Sequence, residues 1–226
     1  MGIPLIDPYP VPTELPVNKV PWTVDPDRAA LLVHDLQRYF LDPFPAGTSP
    51  RTELLANVGT LRELAHRHGM PVFYSVQPGG MSDAVRGLVK DFWGPGMSRE
   101  PGQRGLVDEL PPVRADQLIT KTRYSAFHAT PLLERLRRAG RDQLVICGVY
   151  AHLGCLLTAF DAFANGIQPF LVADAVADFS ADRHRLALEY TATGCGVVLN
   201  TADVFSWTAL TTIPVGKRKM PARPVS

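Results

Sequence analysis

The sequence predicts a doubly wound, three-layer α/β/α domain built on a six-stranded, mostly parallel sheet. Short apolar runs alternate along the chain with segments whose apolar residues recur at helical spacing, which is typical of parallel strands joined by crossover helices. Most of these runs are almost continuously apolar, as expected of strands that helices cover on both faces. With 226 residues, of which 46% are hydrophobic and 20% charged, the chain is long enough for one substantial core.

A proline-rich segment, residues 1–27, precedes the first strand and is predicted to be an extended arm lying over the domain. Proline fixes φ and lacks an N–H, so this segment can form neither a helix interior nor a central strand. The chain begins without a cationic or long apolar stretch, so we expect no signal peptide, no membrane span and a cytoplasmic protein. We expect one domain over residues 1–210 and a disordered, basic, proline-containing tail at 211–226.

Six strands and their connecting helices are predicted in chain order. The strands are expected at 28–34, 72–76, 117–120, 144–147, 167–172 (ending at Asp174) and 196–199. The helices are expected at 51–68, briefly at 83–89, at 130–138, from Gly154 to about 165, at 181–193 and from 202 onwards. The Gly- and Pro-rich stretch 78–112 is a long loop of the kind that usually carries function.

The composition argues against several classes of partner. The 23 Lys and Arg residues nearly balance the 22 Asp and Glu residues, so no net charge draws the chain to nucleic acid or to an anionic membrane. The three cysteines form no Cys-x-x-Cys pair, and no His-x-x-x-His pair is present, so we expect reduced thiols and no metal site. Any partner must therefore be recognised locally.

Polar residues follow four of the predicted strands, namely Asp35, Gln77, Lys121 and Tyr150. Because the carboxyl ends of parallel strands lie at one edge of a sheet, these side chains are expected to converge in one crevice. An acid beside a cation there indicates acid/base chemistry, and burial in an apolar pocket would raise the pKa of the Asp35 carboxyl. Taken singly, Asp35 could instead cap the next helix, and Lys121 could be a solvated charge.

The turn Gly148–Cys155 contains the one cysteine whose position suggests a nucleophile. A thiol between a strand and the start of a helix is often activated. If Gly154 is the first helical residue, however, Cys155 is turned by about 100° around the helix axis. Its thiol is then expected to face away from Asp35 and Lys121. The other two cysteines, 147 and 195, are expected to be small core residues.

Several segments resemble the isochorismatase family. They are His34–Phe40, residues 84–87 and 90–97, Lys121–Phe127, Gly148–Gly154 and residues 167–180. The likeness covers about residues 1–205 and is greatest to the free-standing, phenazine-type enzymes that act on 2-amino-2-deoxyisochorismate. In the wider superfamily, cysteine amidohydrolases such as nicotinamidases use an Asp-Lys-Cys triad. The isochorismatase branch has glycine in place of that cysteine, and Gly154 is the matching residue here.

The resemblance implies a cofactor-independent hydrolysis of a vinyl ether that releases pyruvate from a chorismate-derived ring. Asp35 matches the proton donor, which protonates the terminal methylene carbon, and Lys121 lies beside it. The residues that match substrate contacts are Gln77, Arg86, Trp93, Tyr150, Gly154 and Phe40. The amides of Tyr150 and Gly154, beside a non-proline cis peptide, are implied to hold substrate. Relatives of this family suggest a homodimer, and Thr122, where they usually have tryptophan, is expected to widen one wall of the pocket.

Two other functions remain open on the sequence alone. The first is a cysteine amidohydrolase that uses Cys155. The second is a catalytically silent interaction module that kept the fold. The presence of the implied donor and binding residues disfavours the second.

Overall fold

The computed structural model describes residues 2–204, and the tail predicted at 211–226 lies outside them. Within this range the strands form one sheet in the order β3-β2-β1-β4-β5-β6, and every neighbouring pair is parallel. The strands are β1 Ala29–His34, β2 Val72–Val76, β3 Gln117–Thr120, β4 Gln143–Val149, β5 Gln168–Ala177 and β6 Val197–Leu199. After β3 the chain crosses to the other side of β1, which confirms the predicted doubly wound sheet.

Helices cover both faces of this sheet. They are α1 Arg38–Leu41, α2 Arg51–Arg67, α3 Asp83–Arg86, α4 Val89–Trp93, α5 Pro101–Arg104, α6 Leu132–Arg138, α7 Leu156–Ala164, α8 Ala181–Gly194 and α9 Thr201–Val204. Strand β1 shows how the sheet divides the core, because successive side chains point to opposite faces. Leu31 and Val33 pack with residues of α2, whereas Leu32 packs with residues of α6, α7 and α8.

The structure differs from the predicted elements mainly in three places, besides shifts of one or two residues at several ends and the division of the helix predicted at 83–89 into α3 and α4. Helices α1 and α5 have four residues each, too few to show an apolar repeat in the sequence. The helix predicted from Gly154 begins earlier, as a π-helical turn at Ala151–Cys155 that runs into α7. Strand β5 continues past Asp174, its predicted end, to Ala177, because Val176 and Ala177 pair with Gly148 and Val149 of β4.

The proline-rich arm runs from residue 2 to residue 27 without a helix or strand. Its backbone is tied to the body at Ile6, whose N–H donates to Pro43 O at 3.0 Å, and at Tyr9, whose N–H donates to Ser49 O at 3.2 Å. Both side chains are buried in the same cluster as α2. Among residues 2–204, no helix has the length and apolar character needed to cross a membrane.

Candidate active site

One cleft lies at the carboxyl edge of the sheet, at the switch point between β1 and β4. Its empty space is about 540 Å³ with the open mouth included, which suits a small-molecule ligand. All eight residues predicted for the site line this cleft. The complete lining is Ile3, Asp35, Tyr39, Phe40, Gln77, Arg86, Val89, Trp93, Lys121, Thr122, Arg123, Tyr124, Val149, Tyr150, Leu153, Gly154 and Phe179.

Asp35 lies directly after β1 and is held by the neighbouring strand. Its φ of +51° places it in the left-handed region, which residues other than glycine rarely adopt. Ser75 stabilises this conformation twice, because its O and Oγ both accept from the Asp35 N–H at 3.2 Å and its hydroxyl donates to Asp35 Oδ1 at 2.5 Å. The carboxylate is thereby fixed at the floor of the cleft.

Lys121 forms a buried ion pair with this carboxylate. Its Nζ lies 2.6 Å from Asp35 Oδ2, and the two side chains are only 1% and 6% exposed. Gln77 Nε2 donates more weakly to the same oxygen at 3.4 Å, and Lys121 Nζ also donates to Arg123 O at 3.0 Å. An ammonium has three N–H groups, so these contacts leave one of them for a ligand.

The pKa of Asp35 is lower than its ordinary value, and the raised pKa expected from an apolar pocket is wrong. Burial does act to raise it, but the charge of Lys121 and hydrogen bonds from Lys121 and Ser75 outweigh that effect. The sequence shows neither the ion pair nor the bond from Ser75. In the ligand-free site Asp35 is therefore an ionised carboxylate that accepts from several donors.

Arg86 is a second buried cation, at the end of α3. It is only 5% exposed, its Nε donates to Gly94 O at 2.9 Å, and no residue within 2–204 forms an ion pair with it. The loop passes so close that a Cβ on Gly96 would lie 2.5 Å from the guanidinium carbon, at a φ of +77°. Burial lowers the pKa of Arg86, but a guanidinium stays charged. Such a group, fixed in a cleft, is suited to bind an anion.

A stack of aromatic rings forms one wall of the cleft. Phe179 stacks on Tyr150 at 4.3 Å between ring centroids and on Trp93 at 5.4 Å, and Phe40 meets Tyr150 edge-on at 6.3 Å. Trp93 Nε1 donates to Tyr124 Oη at 2.7 Å. The Tyr150 hydroxyl donates to Phe40 O at 2.7 Å, so its own proton is already used and it can only accept from a ligand.

The turn after β4 carries the cis peptide Val149–Tyr150 and is fixed by a buried carboxylate. Asp178 accepts from the His152 N–H at 2.5 Å, and its Oδ1 lies 2.7 Å from His152 Nδ1. The Asp178 N–H in turn donates to Tyr9 Oη at 2.7 Å. The amino-terminal arm is therefore connected to the turn that places Tyr150 and Gly154 in the cleft.

Comparison with known proteins agrees with this architecture. A model of the isochorismatase domain matches residues 29–203. The chain belongs to the isochorismatase family. It is 55% identical to the phenazine biosynthesis protein PhzD1 of Pseudomonas aeruginosa PAO1 and 54% identical to a probable isochorismatase of Pseudomonas chlororaphis. Each match spans 205 residues, which is 90% of this chain and 98% of the relative.

The fold is also found in a solved isochorismatase-family structure from Burkholderia thailandensis. The two have a TM-score of 0.73 at 27% sequence identity, over 81% of this chain and 96% of the other. The fold is therefore shared over most of this chain. The family fold thus accounts for the convergence of the strand ends.

Cys155 lies on the side of the turn that faces away from the cleft. It is buried in the cluster of α7 and α8 and does not line the cleft, as predicted, although the helix starts at Ala151 rather than at Gly154. Burial raises the pKa of its thiol well above the usual value. The thiol is therefore protonated and inaccessible, which disfavours the cysteine amidohydrolase.

We expect Cys155→Ala to keep at least about half of the wild-type turnover, because a buried thiol behaves as a small apolar side chain. The wild-type enzyme should also resist iodoacetamide under native conditions and react after unfolding in urea. Pyruvate release measures the turnover of the variant, and the mass of the wild-type protein after iodoacetamide treatment, with and without urea, measures alkylation. Loss of turnover in Cys155→Ala, with an unchanged melting temperature, would contradict this account of the thiol.

Several residues of the site were missed by sequence reasoning. Ile3 comes from the arm, Ser75 lies within a strand that reads as core, and Phe179 follows β5 beyond its predicted end. Tyr124 and Phe179 lie in segments that carry the family resemblance, so that resemblance was the available signal for both. Ile3 and Ser75 had no local signal, because their places depend on the path of the arm and on strand register. Within residues 2–204, no three His, Cys, Asp or Glu side chains are grouped to hold a metal ion.

Proposed function

We propose that this protein is an ether hydrolase of the isochorismatase type that releases pyruvate from 2-amino-2-deoxyisochorismate, isochorismate or both. The products would be trans-2,3-dihydro-3-hydroxyanthranilate and 2,3-dihydro-2,3-dihydroxybenzoate. The observation that carries the proposal is the Asp35–Lys121 pair, which faces a cleft whose other buried cation, Arg86, has no acidic partner within residues 2–204. Relatives named for phenazine biosynthesis support a role in secondary metabolism.

The charges of the site match those of the substrate. A chorismate-derived substrate carries two carboxylates, and the cleft offers the guanidinium of Arg86 and the free N–H of Lys121. The aromatic wall of Trp93, Phe179 and Tyr150 can pack on the ring of the substrate. This arrangement holds the enol-pyruvyl group near Asp35.

Protonation of Asp35 follows from substrate binding. In the ligand-free site the charge of Lys121 keeps the pKa of Asp35 low. A substrate carboxylate that binds Lys121 shares this positive charge and brings negative charge near Asp35, and both effects raise the pKa of the carboxyl. The carboxyl group then takes up a proton and can act as a general acid near neutral pH.

The reaction needs one proton transfer to carbon and one water. Asp35 gives its proton to the terminal methylene carbon, and the C=C electron pair forms the new C–H bond. The resulting oxocarbenium ion adds water and returns a proton to Asp35. The C–O bond to the ring oxygen then breaks as the hemiketal hydroxyl loses its proton and becomes the ketone of pyruvate, and the ring oxygen takes up a proton and leaves as a hydroxyl. No covalent bond between the protein and the substrate is involved.

Three further features belong to the proposal. The family resemblance supports a homodimer located in the cytoplasm. The arm, the sheet and its helices are proposed to form one hydrolase domain over residues 1–210. Light scattering on the purified full chain measures the oligomeric state.

A coupled lactate dehydrogenase assay tests the proposed function. Pyruvate release is compared between isochorismate and 2-amino-2-deoxyisochorismate at equal concentrations, and the ratio of kcat/KM values identifies the preferred ring substituent. We expect turnover of at least one of the two. Tight binding without pyruvate release from either compound would contradict the proposal and favour the interaction module.

A further inference from the structure

Beneath the cleft, the imidazole ring of His34 fills the space that a side chain at position 154 would need. If Gly154 carried a Cβ, that atom would lie 2.2 Å from His34 Cε1, 2.8 Å from Nδ1 and 2.9 Å from Nε2. Separations below about 3 Å between such atoms are repulsive, since the favourable distance is about 3.5–4.0 Å. The φ of Gly154 is not in the left-handed region, so the imidazole and not the backbone demands a glycine here.

The imidazole connects three parts of the site. Its Nδ1 lies 3.0 Å from Val149 O, the carbonyl of the cis peptide, and 3.7 Å from Asp35 Oδ2. Its Nε2 lies 3.3 Å from Thr158 Oγ1, and that hydroxyl accepts from the Ala126 N–H at 2.9 Å. A carbonyl can only accept, so the ring donates to Val149 O in the tautomer with its proton on Nδ1, and a backbone hydrogen bond with Tyr124 also holds the ring. His34 thus lies between the Asp35 backbone, the turn after β4 and the segment that follows Lys121.

His34 itself does not reach the ligand. Its side chain is fully buried and is absent from the lining of the cleft. Burial lowers the pKa of the imidazole to about 4, although Asp35 acts to raise it. The facing charged groups are Asp35 and Lys121. A neutral, inaccessible imidazole is not a proton carrier for the reaction.

We propose that His34 is a positioning residue that fixes the proton donor Asp35 against the turn of Tyr150, and that Gly154 is needed to make room for its ring. This inference rests on the proposed function, because it assigns His34 a role in that reaction. The ring of His34 takes up the space that the side chain of any other residue at position 154 would need. Substrate contacts and proton donation then depend on one buried imidazole that touches neither the substrate nor the solvent.

A double-mutant cycle tests the pairing. Gly154→Ala pushes the ring out of place, and we expect kcat to fall about 100-fold, since a misplacement of about 1 Å can cost that much. His34→Asn removes Cε1 and Nε2 but keeps an N–H that can donate to Val149 O. We expect kcat about tenfold below wild type with KM within about twofold, because the lost interaction orients the donor and does not bind substrate. The double variant should exceed Gly154→Ala in kcat by about tenfold.

Two matched controls separate positioning from general destabilisation. Gly102→Ala adds a Cβ in open space and should keep wild-type kcat. His34→Leu removes the N–H, so its kcat should lie below that of His34→Asn at a comparable melting temperature. If Gly154→Ala does not fold, the proposal requires that the double variant be recovered as folded protein.

Three results would overturn the inference. The first is a Gly154→Ala variant with wild-type kcat. The second is a double variant whose kcat is reduced by the product of the two single reductions, or a double variant that does not fold. The third is an equal kcat in His34→Asn and His34→Leu. Wild-type enzyme that releases no pyruvate would instead reject the proposed function. In that case the double-mutant cycle, with melting temperature measured instead of kcat, still tests whether the His34 ring fills the space beside Gly154.

Discussion

Asp35→Asn is expected to lower kcat for pyruvate release by about 10³-fold, within the range of general acid catalysis. Asparagine keeps the size and the hydrogen-bonding shape of the side chain but has no proton that it can give to carbon. Substrate binding should persist, because Arg86 and the aromatic wall are unchanged. Stopped assays with the coupled enzyme in excess measure kcat, and calorimetric titration measures binding.

The control for this variant is Asp182→Asn, whose side chain is 93% exposed and lies far along the chain in α8. It should match the wild type in both measurements. Melting temperatures accompany the kinetics, because Asp35→Asn leaves the buried ammonium of Lys121 without its carboxylate. A folded Asp35→Asn protein with more than a tenth of wild-type kcat would remove Asp35 from the role of proton donor.

The position of Asp35 could be predicted from the sequence, but its ionisation state could not. An acid directly after an apolar run lies at the carboxyl end of a strand once that run is predicted to be a strand. Its pKa depends on Ser75, which faces it because β1 and β2 pair His34 with Ser75 in register. No local sequence pattern determines the register between strands that are distant in the chain. The sequence predicts the burial of Asp35 and the nearness of Lys121, but it does not predict the direct ion pair and the hydrogen bond from Ser75 that together outweigh burial.

The relation between His34 and Gly154 shows a second limit of sequence reasoning. The family resemblance identified Gly154 as the place of a missing cysteine, but it gave no reason for a glycine. That reason is steric and arises between two strand ends, since His34 pairs in register with Gly148 on β4. Packing of this kind becomes visible only when both elements are placed. The same holds for Ile3, whose part in the lining depends on where the arm lies.

Lys121→Met is expected to destabilise the protein by about 3–5 kcal/mol at pH 7, the usual effect of removing one partner of a buried ion pair. Methionine fills a similar volume, so the loss is mainly one of charge. It should also lower kcat/KM by about 10²-fold, because a substrate carboxylate loses a charge-assisted hydrogen bond. Urea unfolding gives the free energy, and the coupled assay gives kcat/KM.

The pH dependence of this destabilisation has a definite sign. In the wild type the pKa of Asp35 is lowered in the folded state, so its stabilisation is present above the unfolded pKa of about 3.9 and is lost only in acid. Without Lys121, burial dominates and raises that pKa, so stability in Lys121→Met falls as the pH rises through the new value. The difference in unfolding free energy between the two proteins should therefore widen from pH 4.5 to pH 7.5.

Lys90→Met is the matched control, because Lys90 pairs with Asp83 on the surface, where the two side chains are 42% and 74% exposed. Its removal should change the unfolding free energy by less than about 1 kcal/mol at either pH, as is usual for exposed ion pairs. A difference for Lys121→Met that stays constant or narrows toward pH 7.5 would mean that Lys121 does not set the ionisation of Asp35. In that case the coupling between substrate binding and protonation of Asp35 would lose its physical basis, since that coupling acts through the charge of Lys121.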